Sequence, residues 1–286
     1  MRSLPFTLLL IGLLGMPTQA RPEDRRWLDS VDAALTEARE KDRLILVDLY
    51  ADWCGWCKKL EEEVFSTASF QAFAEEFVLL RVDTEDGGEG TLLQQKYEAY
   101  SLPTILILDS KQVRVGEVLG FAPTEPFVAS LRREIEAFDE LVSGFERFGQ
   151  TSELRALAIL ADEFHKRNDG ERAASLYRQM LATEDLSLEK AVLVQYQLAD
   201  ALRLAGRYDK ALRQLADTRP NALGVGNAEL VERLDLLGAQ VAIDRGDCQR
   251  AESKLQDFLS THRKSQLRKQ ANRTLATLRA DGYQCL

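Results

Sequence analysis

Histidine is nearly absent from this chain. Two histidines and four cysteines in 286 residues leave few groups able to hold a soft metal. A structural zinc site takes four such ligands, and no second closely spaced pair accompanies Cys54 and Cys57. A basic excess is missing as well. With 37 Lys and Arg against 46 Asp and Glu, the net charge of −9 speaks against nucleic acid or an anionic membrane surface as a partner. The one basic cluster, His262 to Arg273, reads as a solvated helix face. Past the N-terminus there is no apolar run long enough to cross a bilayer, so no membrane insertion is expected.

What the N-terminus does have is an apolar stretch, Phe6 to Met16, after Met1-Arg2 and before Pro17-Thr18-Gln19-Ala20. That order predicts a secretory signal over residues 1–20, cut after Ala20, and a periplasmic mature protein. No cysteine lies near the cut to carry a lipid. In an oxidising compartment an even set of four cysteines reads as two pairs, Cys54 with Cys57 and Cys248 with Cys285. The second would tie the chain's end to the last repeat, a closure worth roughly 3–4 kcal/mol in the chain-entropy picture.

The period of the apolar residues divides the rest. Trp27 to Glu40 reads as a helix, and Leu44 to Tyr50 (LILVDLY) as a buried strand. A helix should start at the cysteine pair and run to Phe65, followed by a short one over Ser69 to Glu76. Strand Phe77 to Val82, a glycine-rich loop at 86–90 and helix Leu92 to Tyr100 come next. Strands Pro103 to Leu108 and Val113 to Leu119 and helix Phe127 to Leu141 complete an α/β domain over residues 21–142. A polar junction between Ser143 and Gln150 leads to residues 151–286, where the strand signal stops. Three stretches there align on themselves, beginning at Asn168, Gly206 and Gly246. Ala173, Ala211 and Ala251 recur at spacings of 38 and 40. Each follows an apolar helix, so the pattern is a short helical solenoid with Gln266 to Leu278 as its cap. Leu198-Ala199, Gly206, Tyr208, Ala211, Leu215 and the following Pro220 resemble a tetratricopeptide repeat, with ordinary helical-hairpin packing as the alternative.

The stretch Tyr50 to Leu60 (YADWCGWCKKL) carries the chemistry. Cysteines at i and i+3 on a helix start can close a small disulfide ring. The helix N-terminus favours a thiolate at the first of them. Gly55 is expected to permit the tight turn, and Trp53 and Trp56 to flank the pair with apolar surface.

Asp48 to Lys58 (DLYADWCGWCK), together with Ser101-Leu102-Pro103-Thr104 at the start of a strand, resembles the active-site segments of the thioredoxin superfamily over about Trp27 to Leu141. The resemblance implies a thioredoxin-like α/β fold and a thiol–disulfide oxidoreductase that needs no cofactor beyond its own sulfurs. Cys54 is similar to the attacking cysteine, Cys57 to the resolving one and Asp48 to the buried acid that exchanges a proton with it. Trp53, Gly55, Trp56, Leu102 and Pro103 match the substrate-facing surface, Pro103 in a cis peptide. Two positions depart from the pattern. Trp56 stands where a proline is common, at a position that helps set the reduction potential. Leu79 stands where a lysine often neighbours the acid, so proton handling is expected to rest on Asp48 alone.

The partners implied are protein thiols and disulfides and an upstream redox protein, with the repeats choosing clients. Two readings compete with this: a homodimer interface on the repeats, and a non-catalytic assembly factor on a thioredoxin-like scaffold. Reductase, oxidase and isomerase directions all stay open.

Overall fold

The computed structural model describes residues 27–148, 153–183 and 186–279. The expected signal segment at 1–20 lies outside them. The N-terminal region runs α1 (Val31–Lys41), β1 (Leu44–Tyr50), α2 (Gly55–Leu60) and a π-helical turn (Glu61–Phe65). Then come α3 (Ala68–Phe73) with a 3-10 turn (Ala74–Glu76), β2 (Phe77–Asp83), α4 (Glu89–Tyr97), β3 (Thr104–Leu108), β4 (Arg114–Leu119) and α5 (Thr124–Phe148).

The four strands lie in the order β2-β1-β3-β4. β1 and β2 are parallel, and β1/β3 and β3/β4 are antiparallel. Strand residues alternate between faces, and the two faces have separate cores. Leu46, Leu79, Ile105 and Ile107 pack with Leu60, Phe70 and Phe127 from α2, α3 and α5. Ile45, Val47, Leu49 and Leu80 pack with Ala34 of α1 and Leu93 and Tyr97 of α4. Such burial on both faces requires the near-continuous apolar runs seen in the sequence.

The first helix starts later than its period suggests. Leu28 instead lies against the outer edge of β2: its N–H donates to the Leu79 carbonyl and its carbonyl accepts from Arg81, both at 2.8 Å. Trp27 packs on the Phe65 ring at 5.0 Å. An edge strand's unpaired groups are thereby covered. The loop expected at 86–90 gives way to helix at Glu89. Burial works to raise the pKa of Asp86, but its carboxylate gathers the N–H groups of Gly88, Gly90 and Thr91, and together these bring it below the ordinary value. Gly90 is obligatory, since a Cβ there would sit 1.9 Å from the Asp83 carbonyl.

The rest of the described chain is helical: α6 (Leu154–Lys166), α7 (Gly170–Leu181), α8 (Leu188–Leu204), α9 (Tyr208–Gly224), α10 (Ala228–Asp244), α11 (Cys248–Thr261) and α12 (Arg268–Leu278). Successive helices pack on each other. Ala173, Ala211 and Ala251 are all fully buried. One turn recurs four times. Asn168, Gly206, Gly226 and Gly246 take positive φ, and each donates to the carbonyl three residues back. The next residue donates to the carbonyl five residues back. This double bond satisfies carbonyls that a helix end leaves open. The turn at Gly226 has no counterpart among the three sequence alignments, because Val231 stands where the others have alanine.

Two expectations at this level need correction. Pro220 lies inside α9 rather than after it. The helix continues because Ala222 beyond the proline is fully buried and Arg219 is held by Asp235 at 2.8 Å. Ser143 and Gly144 are not a loop but part of α5. Phe127, Leu131 and Phe138 of that helix pack on the sheet, while Leu141, Val142 and Phe145 pack on the helical region. Apolar contacts at both ends outweigh the weak helix preference of Ser-Gly.

Candidate active site

β1 ends at Tyr50, and the chain turns through Ala51, whose carbonyl accepts from the Cys54 N–H at 3.0 Å. Cys54 then caps α2 in an extended conformation, its Sγ accepting from the Cys57 N–H at 3.1 Å. Cys54 and Cys57 are joined by a disulfide. Sulfur at a helix N-cap sits where the peptide dipoles favour negative charge, so a thiolate there is stabilised once the bond is reduced. The pair is less open than a sequence reading suggests. Cys54 is 4% exposed and Cys57 2%, both packed with Ala51, Tyr50 and Leu102. Gly55 is not needed for the turn either: its φ is not in the left-handed region and an added Cβ would meet nothing. Its contribution is open space beside Cys54.

Trp53 and Trp56 stand out at 68% and 57% exposure. Trp56 packs on Phe121 with ring centroids 5.7 Å apart, and Lys59 Nζ lies over both rings at 5.3 and 4.7 Å. The Leu102–Pro103 peptide is cis, and the Pro103 carbonyl accepts from Gly120. Cys54, Cys57 and Leu102 are thus together, with the two tryptophans exposed close by in sequence.

Asp48 is buried, at 1% exposure. By alternation it shares the sheet face of Leu46, the face that α2 covers. Burial drives its carboxyl up to about 7, against the opposing charge of Arg81 and aided by Glu61. Asp48 is therefore not alone, as the apolar Leu79 had suggested. Arg81, its partner in the β1–β2 register, brings Nε to 3.2 Å from Asp48 Oδ2. The signal was present in the sequence as the single charge in FVLLRV.

Elsewhere, Cys248 opens α11 behind the Asp247 cap, and Cys285 lies outside the described residues. The two histidines are in separate places. His165 Nε2 lies 2.9 Å from Asp200, and His262 Nε2 lies 2.9 Å from Asp235.

A four-stranded sheet flanked by helices, with a disulfide at the start of the helix after its central strand, defines a thioredoxin-like domain. Residues 26–110 match the thioredoxin-like family profile. The chain is 32% identical over 135 residues to the thiol:disulfide interchange protein DsbD of Ralstonia nicotianae, covering 44% of this chain and 22% of that protein. It is 35% identical over 108 residues to its namesake in Escherichia coli K12, covering 37% and 19%. The chain spans about a fifth of the length of these curated relatives. Among solved structures, the oxidised C-terminal domain of Neisseria meningitidis DsbD is similar, with 21% identity and a TM-score of 0.34 over 38% of this chain and 99% of that one.

Proposed function

We propose that the protein is an exported thiol–disulfide oxidoreductase working through Cys54 and Cys57, in the reducing direction. The observation that carries this is the disulfide on the N-cap of α2, in a thioredoxin-like domain whose strand β1 also buries an acid of raised pKa. The relatives' role in thiol:disulfide interchange supports it. In the reduced protein, the Cys54 thiolate attacks one sulfur of a client disulfide, and the client's other sulfur leaves as a thiolate and takes a proton. Cys57 then gives its proton to Asp48 and attacks Cys54. The client's second thiolate departs, and the Cys54–Cys57 disulfide is restored. Two electrons pass to the client, and an upstream dithiol protein must return them.

Residues 21–142 and 151–286 act as catalytic and docking domains, the second stacked as tetratricopeptide-like repeats whose inner surface selects clients. Cys248 and Cys285 form a structural disulfide, and export through residues 1–20 places both pairs in the periplasm. Trp53, Gly55, Trp56, Leu102 and Pro103 line the client's path to Cys54.

Cys54→Ala is expected to abolish insulin reduction in a turbidity assay, and Cys57→Ala to accumulate mixed disulfides with clients. Full activity in Cys54→Ala would refute the assignment. The potential of the couple fixes the direction: a value near about −270 mV marks a reductase, and one near about −120 mV an oxidant.

A further inference from the structure

Asp48 has an unusual form of compensation. Among the described residues neither of its carboxylate oxygens receives a hydrogen bond and Arg81 Nε donates none, although the two groups stand at ion-pair distance. Arg81 is fastened from elsewhere. Its Nη2 lies 2.8 Å from Glu61 Oε2, and its Cζ lies 4.5 Å from the centre of the Tyr50 ring. Glu61 is half exposed and is the first residue of the π-helical turn that continues α2. Such turns often mark functional positions in helices.

Among the described residues the groups around Asp48 are few. β2 supplies Arg81, the π-helical turn supplies Glu61, and β3 places Ile105 opposite. α2, which covers this face of the sheet, carries Leu60 and Cys57. A carboxylate without hydrogen bonds is governed by burial and by the field of its neighbours. Burial already dominates, so taking away the one opposing cation pushes the acid further toward its neutral form, which cannot accept a proton.

We propose that Arg81, fastened by Glu61 and Tyr50, is a positioning residue of the exchange reaction: its guanidinium keeps enough of the sealed Asp48 ionised to take the proton from Cys57 near neutral pH. This rests on the reading that Asp48 accepts that proton when Cys57 attacks the mixed disulfide. In this reading Arg81 acts through Asp48 and not on the sulfurs or the client. Its influence is confined to the second half of the turnover, and the first attack by Cys54 does not depend on it.

A single-turnover experiment separates the two halves. The full-length reduced protein is mixed with a chromogenic aryl disulfide, which releases one coloured thiolate on attack by Cys54 and a second when Cys57 resolves the mixed disulfide. In Arg81→Met the first release should keep its rate and pH profile. The second should slow about five- to tenfold at pH 7 and move its midpoint up by about one pH unit, a unit being tenfold in the ionised ratio. Arg81→Lys, which keeps the charge but loses the forked grip, should fall between the two and serves also if Arg81→Met fails to fold. A second release with wild-type pH dependence in whichever of these variants folds overturns the proposal. If instead the wild-type protein gives no release at all, it is the oxidoreductase reading that fails.

Discussion

The backbone N–H of Arg114 donates to the carbonyl of Arg167 at 2.7 Å, so the outer edge of β4 ends on the turn between α6 and α7. The side chains reinforce the link. Arg114 Nη2 donates to the Lys166 carbonyl at 3.0 Å, and Arg167 Nη1 donates to the Val115 carbonyl at 2.6 Å. Arg167→Ala should cost about 1.5–3 kcal/mol, the range for hydrogen bonds made by a charged group. Hydrogen exchange should quicken at the amides of 114–116 while that of β1 stays slow. Unchanged exchange along β4 would mean that the edge is held by the strand pairing alone.

Asp48 should make stability fall with rising pH. Its folded-state pKa, about 7, lies above the ordinary 3.8, so the native state keeps a proton that the unfolded chain has lost in between. Stability from this group is complete below about pH 4 and lost as the pH climbs through 7. Asp48→Asn should therefore stabilise the oxidised protein by about 2–4 kcal/mol at pH 8 and by little at pH 4. Urea titrations at the two pH values test this, and an equal change at both would show that the carboxyl is not perturbed in the fold.

Asp200 should act in the opposite sense. Burial opposes its charge, yet Arg203 at 2.6 Å and His165 at 2.9 Å bring its pKa down to about 2. Its contribution is present above the ordinary 3.8 and disappears as the pH drops toward 2. Asp200→Asn should cost about 2 kcal/mol at pH 7. Denaturant midpoints for variant and wild type should converge on acidification.

Two glycines of the helical region should respond differently to alanine. Gly206 has a φ of +68° but open space around it, so Gly206→Ala bears only backbone strain of about 1 kcal/mol. At Gly170 a Cβ would lie 2.3 Å from the Ala201 carbonyl and 2.4 Å from the Ala205 nitrogen, atoms of α8 and its end. Gly170→Ala must push two helices apart and should cost about 2 kcal/mol or more. Thermal melts of the two variants rank these effects, and a larger loss at Gly206 would contradict the close approach of α7 to α8.

The strands were readable because burial on both faces forces runs such as LILVDLY and PTILIL. The three aligned helix turns were readable because a left-handed residue and a buried alanine recur at fixed offsets. Cys54, Cys57 and Leu102 come together at the end of β1, where the motif placed them. What escaped were features that depend on partners distant in sequence. Leu28 reads as helix by period, yet it pairs with β2. Arg81 reads as one charge in a strand until the β1–β2 register sets it opposite Asp48. Ser143-Gly144 reads as a break until Leu141, Val142 and Phe145 find the helical region beneath them. The turn at Gly226 lacked the alanine that made the others align.

One helix, α5, closes the core of the sheet with its first turns and begins the core of the helical region with its last, where Phe145 meets Phe164 edge-on at 5.3 Å. The two halves are consequently poor modules for exchange. A fragment cut just after Phe148 keeps the whole helix and carries an uncovered apolar stripe at its end, prone to stick to other molecules. A fragment cut before Leu141 loses the stripe but strips the helical region of its first buttress. A transplantable redox unit needs the earlier cut, with Leu141, Val142 and Phe145 left behind on the helical side.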